Sequence, residues 1–133
     1  MRTFISLNRK YLMVSVLIIA LLVTAGCTST PTPTSTPGQS VTINLTAKSM
    51  SFDKSTITVP AGASVTMNFD NKDSIPHNFA LYTDSSARTP IFIGQVISAT
   101  TVTYKFTAPT TPGNYFFRCD VHPTSMTGTF IVQ

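Results

Sequence analysis

Between Val41 and the last residue, Gln133, no helical period persists for three turns, while short period-two alternations recur and are each cut off by turn residues. Val41, Ile43, Leu45 and Ala47 alternate with Thr42, Asn44, Thr46 and Lys48, which is the pattern of a strand with one face in a core. Runs of the same kind cover 55–59, 64–70, 77–82, 91–96, 100–106, 114–119 and 127–132. Pro60-Ala-Gly62, Asn71-Lys-Asp73, Asp84-Ser-Ser86 and the stretch from Pro109 to Asn114 supply the turns between them. About eight short strands in residues 41–133 predict an all-β fold, an antiparallel Greek-key β-sandwich or barrel. A domain of this length buries a little over about 60% of its unfolded surface, enough for a stable core without disulfides. Met67 is in phase with Val65 and Phe69 and is assigned to that core.

The chain before Val41 has a different composition. Arg2, Arg9 and Lys10 precede an apolar run over 11–25, followed by Gly26 and Cys27. A basic start, a short apolar run and small residues before a cleavage point describe an export signal, and the run is short for a membrane-spanning helix, which needs about 20 residues. Val23-Thr-Ala-Gly-Cys27 resembles a lipobox, which implies cleavage before a lipidated Cys27. A plain secretory signal with a stray thiol is the alternative; a disulfide from Cys27 to Cys119 is unattractive across the flexible stretch between them. Residues 28–40 are Thr, Pro, Ser, Gly and Gln, with no apolar side chain to bury. Such a segment cannot offset its own ordering entropy, and at about 3 Å per residue in an extended proline-rich form it reaches roughly 40 Å. The expected organisation is therefore a lipoprotein-type signal peptide (1–26), a tether (27–40) and one domain (41–133). The protein is expected outside the cytoplasm, held by lipid to the outer face of the membrane or cell envelope. The formal charge of +4 is mostly the signal: without Arg2, Arg9 and Lys10, six basic residues stand against five acidic ones. Nothing in that balance points to nucleic acid.

Residues 41–133 contain one cysteine, Cys119, and two histidines, His77 and His122. Tyr115, Phe117 and Cys119 fall on one face of a strand, so the thiol is expected at that strand's end; the loop 120–125 carries His122 and brings Met126 back. His77 shares a face with Phe79 and Leu81, at the start of another strand after Ile75-Pro76. Soft sulfur donors with imidazole suit copper, and two His, one Cys and a weak axial Met form an electron-transfer set. Taken singly, a buried Cys is a small core hydrophobe, a His a hydrogen-bonded residue and a Met packing. Their joint occurrence at this spacing favours copper. Zinc rarely takes a thioether and needs another donor, such as Asp120. A binuclear copper site needs a second cysteine in the loop. Without an open coordination position, substrate chemistry is not expected, and the protein is read as a carrier and not an enzyme.

His77-Asn78-Phe79, Tyr115-x-Phe117-x-Cys119-x-x-His122-Pro123, Met126-x-Gly128, and Phe52 with Ile57-Thr-Val-Pro-Ala-Gly62 together resemble the cupredoxins, small blue-copper proteins that include plastocyanin, pseudoazurin, amicyanin and halocyanin. The resemblance covers essentially all of 41–133 and implies an eight-stranded Greek-key sandwich with one copper ion, Cu(II)/Cu(I), near one end. It implies His77, Cys119 and His122 as equatorial ligands and Met126 as the axial one, with Asn78 tying the ligand loop to the neighbouring strand and the His122 ring edge as the electron's exit. Three residues separate His122 from Met126, where plastocyanin-like loops usually have four and amicyanin-like loops two. The expected function is one-electron transfer by a monomer whose exported or membrane-bound redox partners dock at an apolar rim around His122 and Pro123. The alternative is a copper-delivery lipoprotein with the metal as cargo, which extra Met or His clusters would favour; 41–133 contain no such cluster. A third reading, an adhesive sandwich, predicts no metal.

Overall fold

The computed structural model describes residues 38–133; the signal peptide, Cys27 and the tether as far as residue 37 lie outside the described residues. Nine strands follow one another: β1 (Ser40–Lys48), β2 (Ser51–Phe52), β3 (Thr56–Val59), β4 (Ser64–Asn71), β5 (Ala80–Tyr82), β6 (Pro90–Ile93), β7 (Thr100–Thr107), β8 (Gly113–Arg118) and β9 (Thr127–Val132). They form two sheets, ordered β2-β1-β4-β7 and β3-β9-β8-β5-β6. The all-β sandwich expected from the alternation is what the chain adopts.

Two features depart from the expectation of about eight antiparallel strands. First, both sheets are mixed: β1 runs parallel to β4, from Ser40↔Ser64 to Ala47↔Asn71, and β3 runs parallel to β9. Parallel neighbours need a crossover. Here the chain leaves the first sheet for β3 in the second and re-enters as β4 beside β1. Second, the run expected over 77–82 is divided. His77 makes an isolated antiparallel bridge to Ile97, and regular pairing starts only at Ala80.

The core forms where the inner faces of the two sheets meet. In β4, Val65, Met67 and Phe69 are buried while Ser64, Thr66, Asn68 and Asp70 face outward, and the polar row bonds across strands through Asn68 Nδ2 to Asn44 Oδ1 at 2.9 Å. Phe106 of β7 stacks on Phe79 at 5.9 Å and approaches Phe130 of β9 at 6.2 Å, so aromatic side chains join the sheets. Leu45, Met67, Phe69, Phe79, Leu81, Phe117 and Phe130 are fully buried. At about 1.5–3 kcal/mol for each such side chain, this burial stabilises the sandwich without a covalent crosslink. Cys119 is accordingly a free thiol.

Candidate metal centre

At one end of the sandwich β8 stops at Arg118 and β9 starts at Thr127, its register partner. The intervening loop is closed on itself by main-chain bonds. Cys119 N–H donates to Met126 C=O at 2.9 Å, and Met126 N–H donates to His122 C=O at 3.1 Å. Met126 is therefore held against Cys119, with its side chain in the same buried cluster. Beneath the loop, Phe117 passes over Gly128, where a Cβ would lie 2.7 Å from the Ser55 carbonyl oxygen and would overlap the Cζ edge of the Phe117 ring.

His77 reaches the same place from the other side. Its N–H and C=O both pair with Ile97 at 2.9 Å, which fixes the backbone just ahead of β5. Asn78 Oδ1 accepts the N–H of Asp120 at 2.8 Å, joining the His77 segment to the loop. His77 and Cys119 are wholly buried, and His122 is half-buried.

The three donors converge. His77 Nδ1 lies 3.1 Å from His122 Nδ1, and Cys119 Sγ lies 3.7 Å from the first and 3.9 Å from the second. The circle through three atoms at these separations has a radius of about 2.1 Å, close to nitrogen–metal and slightly inside sulfur–metal bond lengths. The donor set fits a single transition-metal ion, and its thiolate and buried thioether match soft-ligand copper better than zinc.

Sequence reasoning read Asp73 as turn chemistry only, yet its carboxylate Oδ2 lies 3.0 Å from His77 Nε2. The same carboxylate accepts the N–H groups of Ser49 (2.8 Å) and Met50 (3.0 Å), and those bonds, Met50's first, hold its carboxyl below the usual aspartate range. A carboxylate only accepts, so in the neutral ring Nε2 carries the proton and the Nδ1 lone pair faces Cys119 and His122. Asp120 is the second unexpected acid. It accepts from Tyr82 Oη at 2.7 Å and Arg118 Nε at 2.8 Å, with the Arg118 guanidinium 4.9 Å from the Tyr82 ring centre. Burial pushes its carboxyl upward, but the bonds from Tyr82, Arg118 and Asn78 outweigh that and leave it below the ordinary value. The available signal was scarcity: the chain has only five acids, and these two stand four residues before one donor and one residue after another. Met50, half-exposed, is present through its backbone alone.

The family model of the cupredoxin-like domain matches residues 16–132. The chain belongs to the cupredoxin-like domain family. Among solved cupredoxins, auracyanin A of the green thermophilic photosynthetic bacterium Chloroflexus aurantiacus, described as a "blue" copper protein, is 26% identical, with a TM-score of 0.63 over 71% of this chain and 99% of that one. Dithionite-reduced auracyanin from Roseiflexus castenholzii is 25% identical, with a TM-score of 0.64 over 72% of this chain and 99% of that one. Amicyanin from Paracoccus versutus, 24% identical, shares the fold with a TM-score of 0.52 over 68% of this chain and 80% of that one. No protein of curated function matches the chain.

Proposed function

We propose that this cupredoxin is a one-electron carrier whose single copper ion is held by His77, Cys119 and His122, with Met126 as a weak axial donor. The convergence of two imidazole Nδ1 atoms and one thiol sulfur around a common centre carries this reading. Facing lone pairs 3.1 Å apart in a buried site repel unless a cation or a proton lies between them. Copper bound there supplies a Cu(II)/Cu(I) couple. The chain's own residues hold the donors still: the loop bonds fix Cys119 against Met126, Asn78 fixes the loop to the His77 segment, and the apolar core keeps water out. A preformed cage of this kind limits the rearrangement that accompanies electron transfer. His122, the half-buried donor, offers the way out for the electron.

Complete burial of His77 and Cys119 favours a resident ion over releasable cargo, and a carrier over an enzyme. Partners in this reading are exported or membrane-bound redox proteins that meet the His122 and Pro123 end. Val121, Ile75 and Val96 are exposed apolar residues within two positions of His122, His77 and the Ile97 bridge. The sequence before Val41 supports export and a lipid anchor at Cys27, with a monomeric domain standing off the outer membrane face.

One experiment tests both halves. The full-length chain, its Cys119→Ser variant and its Cys27→Ser variant are expressed in a bacterial host supplied with copper, and visible spectra are recorded on membrane and soluble fractions. An intense thiolate-to-copper charge-transfer band is expected in wild-type membranes, absent with Cys119→Ser and moved to the soluble fraction with Cys27→Ser. A wild-type protein without the band overturns the copper reading; Cys27→Ser protein that stays in the membrane overturns the anchor.

A further inference from the structure

The turn between β1 and β2 has an unusual backbone. Ser49 and Met50 are consecutive non-glycine residues at φ 53° and 55°, between the register partners Lys48 and Ser51. This is the two-residue hairpin geometry that glycine and asparagine favour, adopted here by neither. Its effect is to turn two successive N–H groups outward into a small anion-binding concavity. The anion it holds is the Asp73 carboxylate, at 2.8 and 3.0 Å. Asp73 is fixed from behind as well: its N–H donates to Asn71 Oδ1 at 2.9 Å and its C=O accepts from Ala99 N–H at 2.8 Å. A strained turn in one sheet and a buried asparagine thus deliver one carboxylate oxygen to His77 Nε2 at 3.0 Å.

Resting on the copper reading above, we propose that Asp73 is the positioning residue of the site: it holds His77 as the Nε2–H tautomer, aims the Nδ1 lone pair at the metal position, and biases the bound ion toward Cu(II). The carboxylate needs a proton on Nε2 to bond, so the other ring nitrogen is left as the donor. Its negative charge, one imidazole away from the ion, favours the more highly charged oxidation state. The Ser49 and Met50 N–H groups temper that charge and keep the side chain from turning away.

Two measurements on the full-length chain in detergent test this. In the metal-free wild type, ¹⁵N shifts of His77 should show Nε2 protonated and Nδ1 bare; an Nδ1–H tautomer overturns the proposal whether or not copper is the physiological ligand. In Asp73→Leu, no acceptor is left for Nε2–H, and the His77 tautomer should shift toward Nδ1–H. With copper bound, the variant's ratio of Cu(II) to Cu(I) affinity should fall roughly tenfold, which is a rise in potential of about 59 mV for one electron. A merely structural role predicts no change in the tautomer and none in the potential. Either invariance in a folded variant overturns the proposal while leaving the copper reading intact. Should the variant not fold, the wild-type tautomer decides alone. A wild-type chain that binds no copper overturns the bias toward Cu(II) together with the copper reading, while the tautomer still decides the positioning role.

Discussion

At the scale of single residues, the carboxylates determine how the domain meets acid. Asp53, Asp70, Asp73, Asp84 and Asp120, the chain's five acids, all have carboxyls held below the ordinary value of 3.8. A group whose folded pKa is depressed contributes stability above its unfolded pKa and loses it as pH falls through the folded value. The metal-free protein should therefore show no carboxylate-linked loss of thermal midpoint from pH 7 to about pH 5, and a decline that begins near 3.8 and steepens below it. Asp120, partly buried and bonded to Tyr82, Arg118 and Asn78, is the residue to probe. The midpoint difference between wild type and Asp120→Asn should be greatest above about pH 5 and shrink as pH drops below 3. Thermal scans from pH 2.5 to 7 check this, and a constant difference over that range contradicts it.

At the scale of elements, the ligand loop depends on the strand that follows it. Gly128 of β9 is register partner to Phe117 of β8, and the phenyl ring occupies the space a side chain would need. That approach lets Phe117 pack 5.4 Å from Phe79 and 5.5 Å from Phe52 by ring centres. Gly128→Ala should force the ring or the Ser55 carbonyl aside at a cost of about 1–3 kcal/mol, the usual range for overpacking. Urea unfolding of the metal-free protein measures it; a loss below about 0.5 kcal/mol shows that β9 accommodates the methyl group freely. The same element view explains the two-residue β2. Its pairing of Ala47 with Phe52 is just long enough to close the tight turn whose N–H groups hold Asp73 and to place Phe52 over Phe117.

At the scale of the whole described domain, three of its six basic residues are paired with acids, and exposed apolar residues border the site. Asp53 is bonded to Lys54, Asp70 to Lys72 and Asp120 to Arg118, each at 2.7 or 2.8 Å. Exposed pairs of this kind contribute little to stability, but they cancel one another's field at a distance. Meanwhile Val121, Ile75 and Val96 stand exposed beside the site residues. Electron exchange with a redox partner at this end should then be steered weakly by charge. Between about 10 mM and 500 mM salt, stopped-flow rates should change by less than about threefold. A steep salt dependence points to a charged docking patch elsewhere.

The sequence alone determined the strand periodicity and the donor set, because each is written locally. Alternation of period two follows from the pleat, and one Cys and two His in 41–133 leave few ways to choose ligands. Sequence also placed Phe117 and Cys119 on one face, since they are two apart in a strand. It did not determine the parallel pairings of β1 with β4 and β3 with β9, which depend on the path of the chain between sheets. Nor did it determine the role of Asp73. That residue acquires its meaning from Ser49 and Met50, more than twenty positions away in the chain and brought to its carboxylate only when β1 pairs with β4. Donor identity is a property of residue type, legible from a string of letters; the orientation of a donor is a property of its neighbours in space, and only the folded chain assembles them.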